Sequence, residues 1–228
     1  MFKNIKGVLF DFDETLQHGT YDELFERTKA IINHLNCNIE DSILQKYCSL
    51  SDWKDIKRNI CNDIFVSENL FDTINNKFSG TFDHLFYLNE NTLDLLDELK
   101  KKNIKIGLVT TRGSHSLYRI LEKHKIFSFF DAIVDRQSCE ERKPHPKPIS
   151  LCLYKMNLKP QDCIFVGDRQ VDDIIAGNAL KMKTILVSAN DRDLHGAIPD
   201  LHCRHLGDVL TAFRDGNASP ASDPGEAL

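Results

Sequence analysis

The sequence predicts an α/β fold, a doubly wound parallel sheet with an all-helical segment inserted near its start. Three observations carry this. Short, near-continuous apolar runs recur along the chain beyond residue 100, as strands buried on both faces do. Segments of helical periodicity alternate with them, the rhythm of parallel strands joined by helices on both faces of a sheet. Between the first apolar run and the others, residues 21–86 show helical spacing and no convincing strand.

In chain order, the first strand is expected over 5–10 and stops at Asp11. Leu24, Phe25, Thr28, Ile31, Ile32 and Leu35 then fall on one face of a 3.6-residue period. Further helices are expected over 41–50, 52–65 and 67–79, with Asp41 and Ser51 as N-cap candidates. A helix over 91–102, with Asn91 as a possible cap, leads to a strand at 104–109. A helix at 114–124, a strand at 132–134, a helix at 146–156 and a strand at 163–166 follow. A helix at 171–180 and a strand at 184–187 complete the alternation. The expected division is a core of residues 1–17 and 90–214, a helical insert of residues 18–89, and a tail of residues 215–228. That tail is rich in Gly, Pro, Ser and Asp and has too little to bury to be expected to order.

Composition narrows the classes of function. Apolar residues make up 41% and charged residues 28% of the 228, with a net charge of -5, so no basic footprint for nucleic acid is present. No apolar run approaches the roughly 20 residues of a membrane span, and the first residues are too short in apolar character for a secretory signal. Cys37, Cys48, Cys61, Cys139, Cys152, Cys163 and Cys203 are scattered singly. An odd count with no paired spacing predicts reduced thiols in a cytoplasmic protein, not disulfides or a zinc site.

Ligands of open α/β sheets bind beyond the carboxyl ends of the strands, so the residues at those ends matter most. The first strand is followed by Asp11, Asp13 and Thr15. The strand at 104–109 is followed by Thr110, Thr111 and Arg112, and the strand at 163–166 by Gly167 and Asp168, with Asp172 and Asp173 beyond. Lys143-Pro144-His145-Pro146 precedes the helix at 146–156. Carboxylates gathered at one sheet edge repel one another unless a cation sits among them, and an all-oxygen set with room for a phosphate suits Mg²⁺.

These residues resemble, in order and at the matching strand ends, the four motifs of the haloacid dehalogenase superfamily and its phosphatase branch. Asp11, Asp13 and Thr15 match Asp-x-Asp-x-Thr. Thr110 matches the hydroxyl motif, Lys143 the lysine motif in a wording similar to phosphoglycolate phosphatase-like members, and Asp168 with Asp172 or Asp173 the acidic motif. The resemblance spans residues 5–187. It implies a Mg²⁺-dependent phosphatase in which Asp11 attacks phosphorus and forms an aspartyl-phosphate. Asp13 would hand a proton to the leaving oxygen and later take one from water. Thr110 would bind a phosphoryl oxygen and Lys143 would balance charge. Asp11, the backbone carbonyl of Asp13, Asp168 and Asp173 would hold the metal; Asp173 is favoured over Asp172 by the run that follows it. The helical insert stands where the family carries a cap domain, implying a small phosphorylated metabolite as substrate. Glu14 departs from the glycine many relatives carry there.

Plainer readings stand beside these. Asp172 reads as a helix N-terminal acid, His145, His18 and His84 as structural, and the cysteines as core filler. Trp53, Lys54, Lys57 and Arg58 read as a solvated helix face sooner than as a substrate-facing basic patch. Thr111 and Arg112 offer a minor phosphate-binding reading. Alternative functions are a phosphomutase or pyrophosphatase on the same scaffold, an idle binding module, and a carbon–halogen hydrolase, the last disfavoured by Asp13.

Overall fold

A computed structural model describes residues 4–49, 53–189 and 197–215. The N-cap candidate Ser51 and the expected tail beyond residue 215 lie outside the described residues. The chain divides into two compact units, one of residues 1–18 with 88–228 and one of Gly19–Tyr87.

The larger unit is a Rossmann-like α/β fold built on a six-stranded parallel sheet. Its strands are β1 (Gly7–Phe10), β2 (Lys105–Val109), β3 (Ala132–Val134), β4 (Cys163–Gly167), β5 (Lys183–Val187) and β6 (Leu201–Cys203), in spatial order β3-β2-β1-β4-β5-β6. Phe10 pairs with Leu108 of β2 and with Val166 of β4, so these central strands end level with one another. The chain leaves β1 toward β2 and returns to β1's other side as β4. That reversal opens a crevice at the carboxyl ends of β1 and β4, where α/β sheets bind ligands.

Side chains alternate across the strands. Leu9, Val109, Val134, Cys163 and Phe165 form one buried cluster with Ile149, Cys152, Leu153 and Met156 of the helix Lys147–Met156. The other face receives the helices Thr92–Lys101 and Leu206–Asp215, which also pack on each other. Right-handed crossovers that move one way along a sheet and then the other place helices on opposite faces in this manner. β6 and Leu206–Asp215 were not among the expected elements. The expected helix at 171–180 is instead a π-helical turn, Gln170–Ile174, followed by a short α-helix, Ile175–Ala179.

The smaller unit is four α-helices, α1 (Thr20–His34), α2 (Asp41–Cys48), α3 (Trp53–Asp63) and α4 (Glu68–Lys77). Each contributes the buried stripe its periodicity predicts: Ile31 and Ile32, Leu44 and Cys48, Ile56 and Ile60, Phe71 and Ile74. Ser67 caps α4 by accepting the Leu70 N–H at 3.3 Å. Asp41 is not a cap: Glu40 holds that position, and Asp41 in the first turn accepts from Lys29 Nζ at 2.6 Å. Asn91 does occupy the N-cap position of Thr92–Lys101, in a left-handed conformation with no side-chain cap bond. Among the described residues no helix is long and apolar enough to cross a membrane.

Candidate active site

Strand register sets the first part of the site. The Asp11 N–H donates to the Val166 carbonyl at 2.9 Å and the Thr110 N–H to the Val134 carbonyl at 2.9 Å, so each of these residues is held by the neighbouring strand at the sheet's carboxyl edge. The Asp11 and Thr110 side chains are buried there. The Thr110 hydroxyl accepts the Arg112 N–H at 3.0 Å, which satisfies the backbone where the strand ends.

Asp173 reaches the same place from the π-helical turn. The Arg169 carbonyl accepts both the Asp173 N–H at 2.7 Å and the Ile174 N–H at 3.4 Å, a widened turn of the kind that gathers at functional sites. The Asp173 carboxylate packs onto the backbone of Gly167, where a Cβ would lie 2.3 Å from Asp173 Oδ2. Only glycine admits the acid at that distance. Asp173 Oδ2 also accepts the Arg169 N–H at 3.0 Å. Asp172, its neighbour, turns instead to Arg169, 3.0 Å away.

Asp11, Asp168 and Asp173 each bring a carboxylate oxygen within 4.8 Å of the other two. Lys143 enters among them almost wholly buried, donating to Asp11 Oδ1 and, at 2.6 Å, to Asp173 Oδ1. Thr15 Oγ1 donates to Asp168 Oδ1 at 3.3 Å. Three acids against one ammonium leave negative charge in a place poor in water. Burial foremost, then repulsion from Asp173 and Asp13, pushes Asp11 up to about 7 against the pull of Lys143. Burial foremost, with Asp11 and Asp173, pushes Asp168 up to about 8. Burial opposes the charge of Lys143, yet Asp11 and Asp173 outweigh it and hold the ammonium well above its ordinary value. An all-oxygen cluster short of positive charge fits a small divalent cation.

This strain has a sign. Asp11 and Asp168 titrate near 4 in the unfolded chain and near 7 and 8 in the fold. The folded state therefore holds more protons, and stability is fully present below about pH 4 and lost as pH rises through 7 and 8. In a chelator, the melting temperature is expected to fall between about pH 5 and pH 8 and to level off above that, and Asp168→Asn is expected to flatten that slope. Thermal unfolding at stepped pH measures it; a melting temperature that rises over this range would contradict the charge balance.

Asp13 is held differently. Arg112 Nε donates to both its carboxylate oxygens at 2.9 and 3.1 Å, and an Arg112 terminal nitrogen donates to Oδ1 at 2.5 Å. Gln17 Nε2 adds a 2.6 Å bond to Oδ1. Sequence reasoning placed Arg112 as a minor phosphate candidate and left Gln17 out; the signal for the pair is only that an arginine follows the β2 strand end. Asp135, at the end of β3, was missed as well. Burial opposes its charge, but the hydroxyls of Ser114 and Ser138 and two backbone N–H groups prevail and hold its carboxyl below the usual range. It ties the turn after β3 to the start of the preceding helix, Ser114–Lys123.

Other sequence candidates are answered within their own units. In the smaller unit Lys57 pairs with Asp72 at 2.8 Å and Glu68 at 3.1 Å, and Arg58 with Asp55 at 3.1 Å, so these cations are neutralised locally. Arg27 stacks over Trp53 at 5.0 Å. His145 accepts the Lys147 N–H at 3.2 Å, a loop contact.

A model of the haloacid dehalogenase-like hydrolases matches residues 8–187. The pyrophosphatase PpaX of Oceanobacillus iheyensis is 26% identical over 223 residues, 93% of this chain and 98% of that protein. A predicted phosphoglycolate phosphatase from Haemophilus somnus 129PT has the same fold, with a TM-score of 0.77 at 21% identity over 92% of this chain and 99% of that one. So has the YfnB protein of Bacillus subtilis, solved bound to magnesium, with a TM-score of 0.76 at 16% identity over 93% and 100%.

Proposed function

Because the chain belongs to the haloacid dehalogenase-like hydrolase family, we propose that it is a Mg²⁺-dependent phosphatase that hydrolyses a small phosphorylated metabolite through an aspartyl-phosphate. One observation carries the reading: a buried Asp11 that shares Lys143 with Asp173 and lies within 4.8 Å of carboxylate oxygens of Asp168 and Asp173. That is a nucleophile set beside a cation site.

Asp11, the Asp13 backbone carbonyl and Asp168 would hold Mg²⁺, with Asp173 completing the acidic set. Bound there, the ion supplies Lewis-acid stabilisation and shields the nucleophile from the phosphate's charge. The chain's own residues do the rest. One Asp11 oxygen attacks phosphorus as the bond to the leaving oxygen breaks, and that oxygen takes a proton from Asp13. Asp13 then takes a proton from water, whose oxygen attacks phosphorus and frees Asp11 and phosphate. Lys143 stays charged throughout and balances the anionic groups. The Thr110 hydroxyl, having accepted the Arg112 N–H, turns its own hydrogen to a phosphoryl oxygen.

The helical unit, expected at 18–89 from the sequence, would serve as a cap that excludes water and selects substrate. Seven free cysteines accord with a cytoplasmic enzyme. Pyrophosphate belongs among the candidate substrates, since the Oceanobacillus relative is named for its cleavage.

The test is phosphate release from a panel of phosphoglycolate, sugar phosphates and pyrophosphate. Turnover is expected with Mg²⁺, with a loss of at least about 100-fold in EDTA that added Mg²⁺ restores. Release from no compound, or release indifferent to EDTA, would sink the reading.

A further inference from the structure

The grip of Arg112 on Asp13 exceeds what a solvated ion pair needs. The Arg112 side chain is only 10% exposed. Two of its three nitrogens face Asp13, and the third donates to Ser116 Oγ at 2.9 Å, in the first turn of the helix Ser114–Lys123. The guanidinium is thus oriented from behind by a regular element and presents a planar fork to one carboxylate. Gln17 adds a second donor from the other direction. Asp13 itself sits in a tight turn whose next residue, Glu14, has a φ of 61°. Its backbone alone does not fix where the carboxylate points.

The four described donations fall unevenly on the two carboxylate oxygens. Oδ1 takes the terminal nitrogen at 2.5 Å, Nε at 2.9 Å and Gln17 at 2.6 Å, whereas Oδ2 takes Nε at 3.1 Å. Such an arrangement anchors one oxygen and orients the other. A group that hands a proton to a leaving oxygen must lie within hydrogen-bond reach of it, and a displacement of about 1 Å can cost on the order of 100-fold in rate.

We propose that Arg112, oriented by Ser116, is a positioning residue for Asp13: it fixes Oδ1 so that Oδ2 exchanges the proton with the leaving oxygen and then with water. The proposal rests on the phosphatase reading. In the first step the Asp11–phosphorus bond forms, the phosphorus–oxygen bond breaks with its electron pair going to the leaving oxygen, and the Oδ2 proton goes to that oxygen. In the second, a water proton goes to Oδ2 while the water oxygen displaces Asp11. Arg112 neither gains nor loses a proton.

Leaving-group dependence separates this role from others. A p-nitrophenolate departs without a proton, whereas an alkoxide does not. Arg112→Ala, Arg112→Lys and Ser116→Ala are assayed with Mg²⁺ on p-nitrophenyl phosphate and on glycerol phosphate. For Arg112→Ala, kcat/KM is expected to fall about 100-fold on glycerol phosphate and less than about 5-fold on p-nitrophenyl phosphate. Arg112→Lys is expected to recover part of the difference, and Ser116→Ala to show the same asymmetry on a smaller scale. Equal losses on both substrates would overturn the proposal, since misfolding or general weakening acts on both alike. A raised KM at unchanged kcat would also overturn it, by making Arg112 a phosphate ligand. Wild-type protein inert on both substrates would overturn the phosphatase reading itself, and this proposal with it.

Discussion

Asp11→Asn is expected to abolish phosphate release, by at least about 10⁴-fold at saturating Mg²⁺, because a neutral amide cannot attack phosphorus and losing a nucleophile removes nearly all catalysis. The same change is expected to leave the fold intact and, in a chelator at pH 8, to raise the melting temperature. Asp11 is buried and its carboxyl is pushed up to about 7 by that burial and by neighbouring acids. Asparagine has the same size and removes one of the charges that the fold holds under protest. Loss of activity with gained stability is the signature of a residue kept for chemistry at a structural cost. Phosphate-release kinetics and thermal unfolding on one preparation read both. Activity retained within about tenfold would remove Asp11 from the nucleophile's role.

Lys143→Met is the second large effect. Methionine fills the side-chain volume but leaves Asp11 and Asp173 without the ammonium that each now contacts. Loss of one pre-oriented donor of charge is expected to lower turnover about 10²- to 10³-fold. Breaking a buried pair by removing one partner costs about 3–5 kcal/mol, so the metal-free variant is expected to melt well below wild type at pH 8. Lowering the pH toward 5 is expected to recover much of that stability, because protonation then neutralises the abandoned acids, but none of the activity. Denaturant unfolding at pH 5 and pH 8 measures the first, and phosphate release the second. A variant as stable as wild type at pH 8 would show that Lys143 does not offset the acids.

The strands at 5–10, 104–109 and 163–166 were legible because buried parallel strands are continuous apolar runs. Their ends located Asp11, Thr110 and Asp168 without any side-chain geometry. β6, with His202 at its middle, carries no such run, and three residues are too few to show a period. Leu206, Val209, Leu210 and Phe213 did carry a helical stripe, and all are buried; their position after the last expected strand gave no reason to look. Arg112 and Gln17 were beyond reach for another reason. An ion pair between residues 99 positions apart leaves no spacing in the sequence, and composition treats a buried arginine and a solvated one alike. Which of Asp172 and Asp173 turns toward Lys143 is set by the winding of a single turn.

That winding has a consequence for how the fold accommodates its acid. An α-helix advances 100° per residue, so Asp172 and Asp173 would point well apart on a regular cylinder, and the helix that follows would be locked in phase with whichever faced the site. The π-helical turn takes up one extra residue and uncouples the two demands. Downstream, Ala176 and Gly177 keep their buried faces, while within the turn Asp173 faces Lys143. The turn thus works as a phase adjuster between a packing surface and a charged centre, letting the apolar pattern and the position of the acid be set independently. Removing one residue from Gln170–Ile174 would bring the helix back into step with the sheet and swing the carboxylate off Gly167.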